Sequence, residues 1–175
     1  GMFYDMEDPN QFIADASKAL TEDGVFIAQL MCLKNMLDSN DVGNICHEHL
    51  EYYSFKSLEY LFNNNGLEIF DVEINKINGG SYRVYAKMIG SNLKEDNNAL
   101  ERVQAVRESE KSLDNKKVHF DFYNRLEENK RKCTEFIKQE VSKGKKVWVY
   151  GASTKGNVIL QYYNLDHTII EAAAE

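Results

Sequence analysis

The sequence predicts an α/β protein, and three observations carry that prediction. Residues 10–30 run from a helical apolar face into a short apolar strand. Residues 67–89 hold two β-rich runs joined at Gly79-Gly80. After a long charged stretch, residues 147–150 form an apolar run that stops at a glycine. Helical faces repeat every three to four residues and strand faces every two, so the two patterns can be told apart along the chain.

The elements follow in order. Phe12, Ile13, Ala16, Ala19 and Leu20 share one helical face, Asp23-Gly24 ends that helix, and residues 25–30 read as a buried strand. Ser54 has the chemistry of an N-cap ahead of Leu58, Leu61 and Phe62, and Asn64, Asn65 and Gly66 close the helix. Residues 67–74 and 82–89 are strands, and so short a connection makes them antiparallel neighbours. From 93 to 144 the composition turns charged. Leu113, Phe120, Tyr123, Cys133, Ile137 and Val141 keep a stripe that predicts an amphipathic helix or helix pair with a solvated charged face. Residues 147–150 then read as the first buried strand of a parallel sheet, with Trp148 in its core. A helix over 156–163 completes one β-α unit, and residues 168–170 begin a second strand.

Composition narrows the function classes. With 175 residues, 43% hydrophobic and one proline, the chain is globular and long enough for one domain or two small ones. A formal charge of −7 with no basic block argues against nucleic acid or an anionic membrane as partner. Cys32, Cys46 and Cys133 are an odd count without CxxC spacing, which predicts reduced thiols and a cytoplasmic location. No apolar run reaches the roughly 18 residues that a spanning helix needs.

Two segments could carry chemistry. In Cys46-His47-Glu48-His49, followed by Tyr52-Tyr53-Ser54, ionisable groups are crowded among aromatics. If this segment is extended, His47 and His49 share a face and Glu48 points away. A histidine beside a carboxylate can take a proton from carbon near neutral pH, because the carboxylate raises its basicity and fixes its tautomer. A polar loop with ordinary hydrogen bonds is equally compatible with this spacing. A metal pair is a further alternative, but the chain nominates no third ligand and no metal is expected. The second segment is Gly151-Ala152-Ser153-Thr154-Lys155-Gly156-Asn157. A glycine turn at a helix start can bring amides to a phosphate, or be a turn without a ligand. A Walker loop needs Lys-Ser/Thr after its second glycine, but Asn157 follows Gly156 and Lys155 precedes it, while Ser153 stands where GxGxxG needs glycine.

Taken together, Asp23-Gly24-Val25-Phe26, the HEH segment with Tyr52-Tyr53-Ser54, Gly79-Gly80-Ser81-Tyr82-Arg83-Val84-Tyr85 and Tyr150-Gly151-Ala152 with Lys155-Gly156-Asn157 resemble the S-adenosylmethionine-dependent sugar C-methyltransferases, which act on nucleotide-linked keto-deoxysugars. The resemblance implies the back half of a Rossmann-like methyltransferase domain at 2–92, with an antiparallel final strand. It further implies a helical linker at 93–144 and the first β-α unit of a second Rossmann-like domain at 145–175. It places the zinc module and the glycine-rich turn that holds the methyl donor upstream of Met2, so the isolated chain is expected to be inactive. Within the family's pattern, His49 is the base and Glu48 its support, with His47 and Cys46 in the same catalytic segment. Tyr53, Gly151, Lys155, Gly156 and Asn157 fall on the substrate side. The family often has tyrosine where Cys46 stands, a departure that bears on the proton relay or the sugar. The expected partners are a nucleotide-sugar and further copies of the chain. A non-catalytic nucleotide-binding module and a truncated remnant are the alternative readings.

Overall fold

A computed structural model of the chain describes residues 1–151 and 153–175. They divide into two compact units: Gly1–Ser39 with Glu48–Lys116, and Asn40–His47 with Lys117–Glu175.

The first unit is built on a three-stranded antiparallel sheet. Helix α1 (Pro9–Ala19) begins with Pro9 in its first turn and Asp8 as cap, whose side chain accepts from the amide of Gln11 at 2.9 Å. It buries Ile13 and leads through a turn at Gly24 into β1 (Phe26–Met31). A short helix, α2 (Leu33–Ser39), follows in a stretch to which the periodicity assigns no element. Seven residues are too few for a periodic stripe to declare itself, although Lys34 and Asp38 pair one turn apart and Met36 and Leu37 are buried. Helix α3 (Phe55–Asn64) starts at Ser54, whose hydroxyl accepts from Ser57 N–H at 3.2 Å, and buries Phe55, Leu58, Leu61 and Phe62.

Strands β2 (Leu67–Asn75) and β3 (Ser81–Met88) form the expected antiparallel pair, and β1 adds to the other side of β3. Leu30 faces Tyr82 and Ala28 faces Val84, with Val72 opposite Val84 on the far strand, and all five side chains are buried. The β2–β3 connection passes through three successive positive φ values, 52° at Asn78, 80° at Gly79 and 135° at Gly80. A Cβ on Gly80 would lie 2.3 Å from the Asn35 side chain, so both the dihedral and the space require glycine there. Helix α4 (Ala99–Glu110) lies against β2, where Arg102 makes a two-pronged bridge to Asp71 at 2.7 and 2.6 Å.

The charged stretch is thus a helix pair, α4 and the 27-residue α5 (Lys116–Ser142). The buried stripe of α5 runs through Phe122 and Leu126, with Cys133, Ile137 and Val141 half-buried; Phe120 and Tyr123 are exposed instead of inward.

In the second unit, β4 (Trp148–Tyr150), α6 (Thr154–Tyr163) and β5 (Ala172–Ala174) form a parallel β-α-β arrangement, with Val149 opposite Ala173. Two expectations are corrected here. No strand forms over 168–170, because Asp166 draws in the amides of Thr168, Ile169 and Ile170 at 2.8–3.0 Å and spends the donors that a strand would need. Trp148 is 59% exposed and Tyr150 91%, so β4 is not buried in this two-stranded sheet. Among the described residues no helix is long and apolar enough to cross a membrane.

Candidate functional site

Residues 47 and 48 form a turn, so the segment is not extended and His47 and His49 do not share a strand face. His47 and Glu48 are exposed, while Cys46 and His49 are half-buried. The boundary between the two units falls between His47 and Glu48.

In the first unit the loop is anchored twice. Directly after His49, the amides of Leu50 and Glu51 both donate to the carbonyl of Tyr4, at 2.9 and 3.1 Å. The Tyr4 ring meets the His49 imidazole edge-on, 4.5 Å between centroids at 64°. At the far end, Leu33 N–H donates to the Tyr53 carbonyl at 3.1 Å. Tyr53 is 7% exposed, and among the described residues its hydroxyl has no hydrogen-bond partner. Burial, with Glu51 nearby, pushes that hydroxyl up to about 12, so it stays a neutral donor at physiological pH. A buried hydroxyl without a partner is uncommon and suits a residue that receives a polar group from outside the chain.

In the second unit, a 3-10 turn (Val42–Asn44) packs on α6. Gly43 permits the approach: a Cβ there would lie 2.9 Å from the Cβ of Lys155. Asp41 accepts from the Asn44 side chain at 2.7 Å and from Lys155 Nζ at 3.5 Å. The ammonium is thereby held near the start of α6 while remaining 39% exposed. Beneath Ile45, one residue before Cys46, lies an apolar cavity of about 220 Å³ between the 3-10 turn, α5 and α6, walled by Phe122, Tyr123 and Tyr162.

The glycine turn is used by the fold itself. Gly151 has φ 110° and donates its N–H to the Ala174 carbonyl at 2.8 Å. Gly156 N–H goes to the Ser153 cap at 3.1 Å, and Asn157 N–H to the Ser153 carbonyl at the same distance. These two glycines shape the turn; among the residues expected here, Lys155 carries a charge and Asn157 an exposed amide. Ala152 lies outside the described residues. Among the described residues, no three His, Cys, Asp or Glu side chains gather as a metal centre would need.

Tyr4, in the first unit's loop anchor, and Asp41, at the second unit's turn, are contributors that the sequence did not announce. Tyr4 belongs to an isolated 3-10 turn (Phe3–Asp5), and Asp41 reaches Lys155 across 114 residues, so no local spacing links either to the site.

Two comparisons bear on this arrangement. The C-methyltransferase C-terminal domain matches residues 76–175. Over 175 residues the chain is 30% identical to the C-methyltransferase NovU of Streptomyces niveus, which covers 99% of this chain and 41% of that protein. The chain thus spans about two-fifths of the length of that relative. With the domain match extending over more than half of its residues, the chain belongs to the C-methyltransferase family.

Proposed function

We propose that this chain supplies the proton-abstracting part of an S-adenosylmethionine-dependent C-methyltransferase acting on a nucleotide-linked keto-deoxysugar. The observation that carries the reading is His49 itself. It is half-buried, packed against Tyr4 and followed immediately by two amides pinned to the Tyr4 carbonyl, so the imidazole sits on a fixed stretch of an otherwise exposed turn. A base for carbon acids needs this fixation, because its nitrogen must be held within hydrogen-bond reach of the proton it takes.

In this reading His49 removes the proton from the carbon next to the sugar ketone. The C–H electron pair moves into the enolate, and the proton stays on the imidazole. Glu48 supports the imidazolium, with Cys46 and His47 completing the segment. The buried Tyr53 hydroxyl donates to a polar group of the sugar. In the second unit, taken by itself, the turn that Gly151 and Gly156 shape offers Lys155 and Asn157 to a phosphate. Bound S-adenosylmethionine supplies an electrophilic methyl group. The described residues do not fit it as a site, since the glycine-bearing strand-to-helix turn has its Gly151 and Gly156 amides engaged internally. No step of its handling is assigned to them.

The same reading takes residues 2–92 as part of a Rossmann-like methyltransferase domain, 93–144 as the helical linker and 145–175 as the start of a second Rossmann-like domain. It also holds the protein to be cytoplasmic and to assemble as a homodimer or larger. The test is His49→Ala in the full-length protein. Methyl transfer is expected to fall by about 100-fold or more while the methyl donor still binds; near-normal turnover would move the base elsewhere.

A further inference from the structure

Glu110 closes α4 and is 7% exposed, although its neighbours Ser109 and Lys111 face outward or partly so. A carboxylate taken out of water must find donors. Glu110 finds three, and none is on α4. Oε2 accepts from Phe55 N–H at 2.7 Å; Oε1 accepts from the Tyr82 hydroxyl and, at 3.8 Å, from the Cys32 thiol.

Each donor leads to one end of the His49 loop. Phe55 is the first residue of α3, and its amide is among those that a helix start leaves unpaired; the Ser54 hydroxyl is already given to Ser57. Cys32 immediately precedes Leu33, whose N–H holds the Tyr53 carbonyl. Tyr82 is fully buried and its ring lies 6.0 Å from that of Phe55. One side chain therefore grips the chain on both sides of the Leu33–Tyr53 bond.

We infer that Glu110 is a positioning residue: its carboxylate fixes the Tyr53–Phe55 corner and through it the loop that carries Glu48 and His49. Only the catalytic consequence rests on the proposed function; the mechanical one does not. A displacement of 1 Å at a reacting group can cost about 100-fold in rate, so an anchor one hydrogen bond removed from the loop has leverage on turnover. A carboxylate that merely stabilised the fold would instead affect the whole first unit alike.

Glu110→Gln and Glu110→Asp separate these cases. Glutamine keeps the shape but aims an NH2 at one of the donors. Aspartate keeps the charge and retracts it by one methylene, and serves if the glutamine variant does not fold. By hydrogen exchange on this chain, either variant is expected to speed exchange over residues 46–55 by about tenfold, with β2 and β3 unchanged. Tyr82→Phe, which spares the Phe55 bond, is expected to change the same peptide by less than about threefold. In the full-length protein kcat should fall by about 10- to 100-fold with KM for the sugar within about threefold. Unchanged exchange over 46–55, acceleration spread evenly over the first unit, or a loosened loop with undiminished kcat would each overturn the inference. If the loop loosens selectively but the wild-type protein transfers no methyl group to any keto-sugar, the proposed function fails and the placement of Glu110 stands.

Discussion

Gly43 lies so close to Lys155 that a Cβ added to it would sit 2.9 Å from the lysine's own Cβ and 3.4 Å from its Cα. These atoms are fixed to the α6 backbone, so they cannot swing aside as the end of a long side chain could. Overpacking of this kind costs about 1–3 kcal/mol, against about 0.4–1 kcal/mol gained by stiffening the unfolded chain. Gly43→Ala is therefore expected to destabilise the second unit, read by urea denaturation together with faster exchange in α6. A variant as stable as wild type would mean that the 3-10 turn can shift at no cost.

Glu110 gives a pH dependence of known sign. Burial raises its pKa above the ordinary 4.5, and the bonds from Tyr82, Phe55 and Cys32 only partly oppose this. The native state therefore holds the proton to higher pH than the unfolded chain does. The associated stability is complete below 4.5 and is lost as pH rises through the raised native value. Denaturation midpoints across this window should fall with pH in the wild type. The slope should flatten in Glu110→Gln, and identical slopes would refute the assignment.

These 175 residues alone are expected not to bind S-adenosylmethionine at micromolar concentration. Each buried hydrogen bond to a charged group is worth about 1.5–3 kcal/mol, and micromolar affinity is only about 8 kcal/mol in all. With the Gly151 and Gly156 amides engaged internally, that turn has few donors to offer, and binding there is expected to be millimolar or weaker. Calorimetric titration showing saturation at micromolar donor would relocate the cofactor site to residues within this chain.

Strand β1 is an edge strand. Its outer side meets the Gly1 amine at the Gln29 carbonyl, 2.9 Å away, and no other strand among the described residues. Ile27 on it is 56% exposed. An apolar edge seeks a partner, so sedimentation at micromolar concentration should give a dimer or larger species. Ile27→Lys should shift it toward monomer, and a monomeric wild type would dispose of the idea.

Much of the fold was legible in the sequence because the periodic residues are also the buried ones. Leu58, Leu61 and Phe62 announced α3, and the Gly79-Gly80 pair announced the β2–β3 turn. What failed had a physical cause. Thr168, Ile169 and Ile170 have strand-forming side chains, but Asp166 captures their amides. Trp148 has an apolar side chain, yet the two-stranded sheet leaves it uncovered. The site was legible only in part. The crowding at 46–49 marks where chemistry could occur, whereas Glu110 looks like any other charge in a solvated stretch. Only the meeting of Phe55, Tyr82 and Cys32 in space sets it apart.

The second unit is discontinuous in the chain, with Asn40–His47 on one side of the whole of Glu48–Lys116 and the rest beyond it. A ribosome delivers residues from N to C, so the first unit is complete once Lys116 has emerged. At that moment Asn40–His47 has no partner, because α6 has not been made. Asp41 and Lys155 must then close a separation of 114 residues, the kind of long-range contact that slows folding. The turn that leads into the candidate base is thus synthesised well before the helix it packs on, and it waits for that helix to find its structure. Val42 and Ile45 stay in water during that interval, and a chaperone that reads exposed apolar segments would meet them there.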